Sequence, residues 1–337
     1  MGIALTVKPL LVAGAVALAG LWSIPGSAIA QDNEPIKVAL GDLPEVETLF
    51  FLVGLERARE RGVESEVTFF AGEELAIQSI LSGQAHIGLG SPYAVIQNAN
   101  VPVRLFLQVS RIIFFPVVSA EIETWKDMEG VPMTFHQRGD PLEALATIMA
   151  EREGVTFGRP NYMPGSENRV VALTEGHIKA SLIDLLNKNM IMEEHPDKFR
   201  VLPWVEEVTT DEALFARQDW LEENKDRVAV LLEAMLESAR DLCSNPRSIA
   251  DAREKYDLLP DLPQELVDQL ADYYEEAIKA GVYSCDGGSA KAAETDIEVF
   301  ARAGQLKGGP EELKVENFWY LEPLQAAQAK LGITPAN

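Results

Sequence analysis

The chain is poor in positive charge, in histidine and in cysteine. Its 29 Lys and Arg face 53 Asp and Glu, a formal net charge of -24. That deficit excludes a nucleic-acid binder, whose phosphate partners require a basic surface. It argues equally against docking on an anionic membrane. Charge of this sign sets solubility and the long-range field and does not identify a ligand. The four histidines, His86, His136, His177 and His195, show no metal-like pairing, and no metal site or cofactor is expected. There is no Walker A loop, no H-E-x-x-H, no C-x-x-C and no G-x-S-x-G. Tandem repeats and low-complexity tracts are absent too. Beyond the N-terminus no stretch is long and apolar enough to cross a bilayer.

The N-terminus itself reads as a secretion signal. Lys8 supplies a small positive start, residues 10–21 are apolar, and Pro25-Gly26 breaks the run. Ala28-Ile29-Ala30 has the small-x-small pattern of a signal-peptidase site, so residues 1–30 are expected to be removed before Gln31. An apolar run of twelve residues falls short of the roughly twenty that a span takes. No Cys follows it to carry a lipid anchor. Export implies an oxidising compartment, where Cys243 and Cys285, the only cysteines, are expected to form a disulfide. Closing a loop of about forty residues constrains the unfolded chain by roughly 3–4 kcal/mol.

The mature chain is long enough for two cores, and its hydrophobic pattern repeats one grammar twice. A strand over 36–40 ends at Gly41. Val46, Leu49, Phe50 and Val53 then keep helical spacing. A strand over 63–69, a helix carrying Ile77, Ile80 and Leu81, and a strand at 87–89 complete a strand-helix-strand-helix-strand series, the signature of a parallel sheet with covering helices. Strands follow at 103–109 and 112–118. After a connection at 125–130 the grammar restarts with a strand over 131–135. Asp140-Pro141-Leu142-Glu143 then opens a helix, with Asp as N-cap, Pro in the first turn and Glu three residues on. A short strand at 162–163, a helix capped by Ser166, and strands at 178–182 and 199–204 close this second unit. The chain is expected to return to the first unit near 209–216 and to be mostly helical from Leu221 on. The fold class is therefore α/β with two units, 31–119 plus 216–337 and 120–215. Two crossings make a hinge, and a cleft lies between the units.

Several segments resemble a known family. Residues 73–91, containing Ser82-Gly83-Gln84-Ala85-His86-Ile87-Gly88, look like the helix and S-G-Q-x-D-I-G segment of the sulfonate, taurine and nitrate type binding proteins. Residues 125–131 resemble their D-L-K-G-K connection. Residues 173–182 match A-L-x-x-G-x-I-D-A, and 215–227 resemble the stretch that follows it. The group also takes in proteins similar to thiamine-pyrimidine binding proteins of the NMT1/THI5-like type. The resemblance implies a two-lobed, type II periplasmic binding protein fold. It further implies a periplasmic, monomeric protein that hands a small molecule to an ABC permease driven by a cytoplasmic ATPase. The chain departs from the family where His86 replaces the Asp of S-G-Q-x-D-I-G, where Lys179 stands after Ile178, and in the acidic first loop, 41–47.

In such folds ligand groups come from loops at the carboxyl ends of strands, beside helix N-termini. The candidates are Asp42 and Glu45 in the first loop, Glu73 after Gly72, Ser91 and Tyr93 after Gly90, His136 and Arg138 before the Asp140 cap, and Ser166, Asn168 and Arg169 after Gly165. Each has a structural reading: Tyr93 as core, Ser166 as helix cap, His136 as a satisfied strand end, and the arginines as surface ion pairs. Arg111 either snorkels or pairs in the cleft. Acids from the first lobe with Arg138 and Arg169 from the second suit a zwitterionic, sulfonate-like or heteroaromatic solute. The alternatives are a ligand sensor working through a membrane partner, and an enzyme like those of pyrimidine or menaquinone-precursor synthesis on the same fold.

Overall fold

The computed structural model describes residues 34–41, 44–70, 72–99, 101–204 and 209–336. The secretion signal expected over residues 1–30 and the candidate ligand residue Asp42 lie outside them.

The first lobe opens with β1 (Ile36–Leu40), α1 (Leu49–Arg59), β2 (Ser65–Phe69), α2 (Glu73–Leu81), β3 (Ile87–Gly90), α3 (Tyr93–Asn98) and β4 (Val103–Gln108). The second contains β5 (Phe115–Ser119), β6 (Thr134–Phe135), α4 (Pro141–Glu153), β7 (Asn161–Tyr162), α5 (Ser166–Thr174), β8 (Ala180–Ile183), α6 (Leu185–Glu194) and β9 (Phe199–Val201). The chain then returns through β10 (Ala213–Arg217) to the first lobe. It ends in helices α7 (Gln218–Glu223), α8 (Lys225–Ser244), α9 (Ser248–Tyr256), α10 (Gln264–Ala280), α11 (Ala290–Arg302) and α12 (Glu322–Leu331).

Each lobe is built on one five-stranded sheet, ordered β2-β1-β3-β10-β4 in the first and β7-β6-β8-β5-β9 in the second. In each sheet four strands share one direction and the fourth in the row opposes them: β10 against β3 and β4, β5 against β8 and β9. Each opposing strand is the first that the chain forms after crossing over. This corrects the boundaries expected from sequence. Residues 115–119 belong to the second sheet, so the first crossing is at 109–114, and residues 213–215 already belong to the first. The reason is physical: a continuous apolar run such as Phe115–Ser119 suits a buried position in either sheet, and pairing decides which one it joins.

Burial on both faces explains the composition of the central strands. Val38 of β1 stands opposite Val67 and Ile87, and all four residues of β8 are buried. In α1 the residues from Leu49 to Leu55 are buried without a break, more than one amphipathic stripe provides, because α8 covers its outer side. The C-terminal helices enlarge the first lobe's core. One of them, α11, also reaches the second: Val299 packs with Ile112, Leu142 and Met149, and Gln305 just beyond it donates to the Asp140 carbonyl at 3.2 Å.

The crossings lie side by side. Ile112 N–H donates to the Thr209 carbonyl at 2.9 Å and Asp211 N–H to the Ser110 carbonyl at 3.1 Å. A segment near residues 282–288 flanks them, with Arg111 N–H on the Val282 carbonyl and Ser284 N–H on the Val109 carbonyl. Arg111 pairs there with Asp286 at 3.5 Å. The Cys243–Cys285 disulfide ties this segment to the end of α8. Among the described residues no helix is long and apolar enough to cross a membrane.

Candidate functional site

Between the lobes lies a cleft of about 1290 Å3, counting the solvent at its mouth. Its walls follow from the topology. The parallel strands point their carboxyl ends at it, so the residues that follow each strand converge there. The first lobe contributes Leu40 and Gly41 after β1, Glu45, Glu47 and Phe51 around the start of α1, Phe69, Glu73 and Ser91. The hinge contributes Ser110, Phe114, Asp211 and Glu212. The second lobe contributes His136, Gln137, Asp140, Ser166, Arg169 and Asp184, and the flanking segment Val282 and Tyr283.

Tyr283 is held by its neighbours. Its ring stacks on Phe50 at 4.4 Å and on Tyr274 at 5.0 Å, while Tyr274 accepts the Phe50 N–H and donates to the Val46 carbonyl, both at 2.9 Å. This stack ties the start of α1 to the hinge side of the cleft.

On the opposite wall, Arg169 is buried. Its guanidinium donates to the Met163 carbonyl at 2.9 Å, to Ser166 Oγ at 2.7 Å and to the Leu182 carbonyl at 3.3 Å, locking the start of α5 to the end of β8. Ser166 is the first helical residue and not the cap; Gly165 holds that position without a side-chain bond. His136 Nδ1 accepts the Gly165 N–H at 3.4 Å. Burial, with the nearby Arg169 charge, pushes its pKa down to about 4, so the ring is neutral at pH 7. Asp140 caps α4, accepting the Glu143 N–H at 2.7 Å. Burial raises its pKa to about 6. Across the cleft Gln137 Nε2 donates to Glu73 Oε2.

Of the residues expected from sequence, Glu45, Glu73, Ser91, His136, Ser166 and Arg169 line the cleft. Tyr93, Arg138 and Asn168 do not. Tyr93 is fully buried, donating to Asp296 Oδ2 at 2.6 Å and accepting from Trp319 Nε1 at 2.7 Å. Arg138 is exposed with its guanidinium over the Tyr162 ring, 5.5 Å from the centroid. Asn168 is on the outer face of α5, bonded to the Pro164 carbonyl; Ser166 and Arg169, three apart, share the inner face. Sequence reasoning missed Glu47, Asp184, Asp211, Glu212, Phe114 and Tyr283. Glu47 and Asp184 carried a signal, an acidic loop and an Asp directly after a strand. The others reach the cleft only through the hinge and the C-terminal return.

The cavity is lined by carboxylates, a few hydroxyl and amide groups and aromatic side chains. Ser91 Oγ is bonded to the Asp211 carbonyl and Ser166 Oγ to Arg169, so both hydroxyls serve the architecture. Among the described residues no three His, Cys, Asp or Glu converge on a metal-sized centre.

Two lobes of equal topology around a hinge and a cleft define a periplasmic-binding-protein fold. The family model for NMT1/THI5-like proteins matches residues 59–249, and the chain belongs to that family. Among solved structures it is similar to a putative periplasmic sulfonate-binding protein SsuA from Methylobacillus flagellatus KT, at 16% identity and TM-score 0.62, covering 90% of this chain and 97% of that one. The alkanesulfonate-binding protein SsuA from Xanthomonas axonopodis pv. citri, bound to MOPS, aligns at 14% identity and TM-score 0.63 over 85% and 99% of the two chains. The periplasmic nitrate-binding protein NrtA from Synechocystis PCC 6803 aligns at 12% identity and TM-score 0.67 over 88% and 89%. No curated protein matches the chain in sequence.

Proposed function

We propose that this protein is the periplasmic solute-binding component of an ABC importer. In this reading it is exported by its N-terminal signal, acts as a monomer, and captures a small organic solute between the lobes. The observation that carries the reading is the cleft itself, lined by Phe51, Phe69 and Phe114 and by polar groups from both lobes and the hinge. Solute sites have this apolar lining with a few placed polar groups. The lobes, taken as residues 34–108 with 213–336 and residues 115–201, would close about the paired crossings. A ligand favours closure only by the difference in its affinity for the two states. The closed pair of lobes would then present one surface to a permease, and the ATPase on the far side of the membrane would supply the energy. The function is binding without turnover, because the serine and histidine groups at the cleft hold strand ends and helix starts together. A thermal-shift screen of the purified protein against sulfonates, amino acids, pyrimidines, aromatic acids, polyamines and nitrate tests the reading. A solute at a hundred times its Kd adds about 2.7 kcal/mol of stability. A shift confined to one chemical class is the expected result; no shift with any class would count against the importer role.

A further inference from the structure

The cleft is more acidic than the chain around it. Acids outnumber Lys and Arg by 53 to 29 overall, whereas seven carboxylates and a single guanidinium, that of Arg169, line the cleft. Two of the seven, Asp140 and Asp184, cap α4 and α6. The other five, Glu45, Glu47, Glu73, Asp211 and Glu212, belong to the first lobe and the hinge. They stand where an anion site would be built. Glu45 and Glu47 precede α1 and Glu73 opens α2, at helix ends whose partial positive charge otherwise favours anionic ligand atoms. Carboxylates there cancel that preference.

Glu73 is seated by the shape of the backbone around it. A Cβ on Gly90 would stand 2.3 Å from Glu73 Oε1, and one on Gly41 would stand 2.3 Å from its Cα. Only glycine at both strand ends leaves room for this carboxylate at the cleft, where Gln137 of the opposite lobe meets it. The carboxylates do not gather as metal ligands do among the described residues. Phe51, Phe69 and Phe114 line the same cleft. Carboxylates and aromatic rings lining one cleft match a molecule that carries both positive groups and hydrocarbon.

We propose that the cleft takes an organic cation: an alkyl or aryl amine of net positive charge, its ammonium or amidinium groups against the first-lobe and hinge carboxylates and its hydrocarbon on Phe51, Phe69 and Phe114. The inference rests on the cleft being the solute site. Isothermal titration of the purified protein with putrescine, spermidine, agmatine and phenethylamine, set against taurine, ethanesulfonate, nitrate and uracil, tests it, with native mass spectrometry for any solute that co-purifies. The expected result is binding of at least one amine, with affinity falling as salt rises. Glu73→Gln and Glu212→Gln, which keep side-chain shape, should each weaken that binding by roughly tenfold. Binding of an anion or of uracil with no amine bound overturns the inference and leaves the binding-protein reading standing. Amine affinity unchanged in both variants overturns the assigned carboxylates. No solute of any class bound, by either method, overturns the inference and the binding-protein reading together.

Discussion

The two lobes share one sheet order and one placement of the opposing strand, yet they are held together differently. The first lobe has strands of four to six residues, a large core under the C-terminal helices, and a disulfide. The second manages with strands of two to five residues and two smaller cores. Two of its three helices, α4 and α6, are capped by Asp140 and Asp184, with α5 uncapped by a side chain, whereas α1, α2 and α3 of the first lobe have no side-chain cap bond and only its later α11 takes one, from Ser289. Where tertiary packing covers a helix, its ends need less help from their own side chains. The uncapped starts of α1 and α2 are also where the first lobe places Glu45, Glu47 and Glu73, so topology is shared while chemistry at the cleft is not.

Removing the staple should separate the lobes most. Cys243→Ser with Cys285→Ser is expected to cost about 3–4 kcal/mol, from the entropy of a loop closed over 42 residues. Urea unfolding would show the loss. If the lobes unfold in separate steps, only the first-lobe step should move, and a shift in both would mean that the lobes melt as one.

Among the described residues, Asp140 in the second lobe and Asp296 in the first are buried carboxyls with a raised pKa. Burial brings both Asp140 and Asp296 to about 6, from an ordinary value near 3.8. The folded protein therefore holds these protons more tightly than the unfolded chain does. Their contribution is fully present below about pH 4 and is lost as pH climbs towards 6, by up to about 3 kcal/mol per group at 1.36 kcal/mol per unit. Asp140→Asn keeps a capping oxygen and Asp296→Asn keeps an acceptor for the Thr210 N–H, which Asp296 receives at 2.8 Å. Each variant should flatten the fall in melting temperature between pH 4 and 6 relative to the parent. An unchanged slope would show that the carboxyl titrates normally.

At the middle strands the lobes differ in spacing. Gly88 of β3 stands opposite Phe215 of β10, and a Cβ there would come within 2.2 Å of that ring. The corresponding pair in the second sheet, Ser181 with Val117, already accommodates side chains. Gly88→Ala is expected to cost about 1–3 kcal/mol by overpacking, and Ser181→Ala less, through the loss of one bond to the Thr134 carbonyl at 2.9 Å. Denaturant midpoints would rank them. The smallest effect expected is for Asp184→Ala, about 1 kcal/mol for a lost cap; a much larger loss would show that the Asn187 amide, which donates to Asp184 Oδ2 at 2.9 Å, depends on that carboxylate too.

Local pattern made much of this legible. The strand-helix alternation, the Asp140-Pro141 helix start and the short returning strand near residue 213 all follow from period and capping chemistry, which act over a few residues. Six of the ten candidate cleft residues line the cavity because strand ends and helix starts converge in this fold. Tyr93, Arg138 and Asn168 had the same signal, a polar or aromatic residue in a loop after a strand. What turned them away was a neighbour far off in sequence or the phase of a helix: Asp296 and Trp319 for Tyr93, Tyr162 for Arg138, the outer face of α5 for Asn168.

By itself the sequence determined the α/β class, the doubled grammar and the acidic balance, because each is written in local spacing or in composition. Tertiary structure alone decided that residues 115–119 leave the first sheet for the second, since a continuous apolar strand fits either partner until pairing is made. It also decided that Asp211, Glu212, Phe114 and Tyr283 meet Glu45 and Glu73 around one cavity. Those groups are brought together by two crossings and a returning C-terminal segment, contacts between residues far apart in the chain that no local pattern encodes.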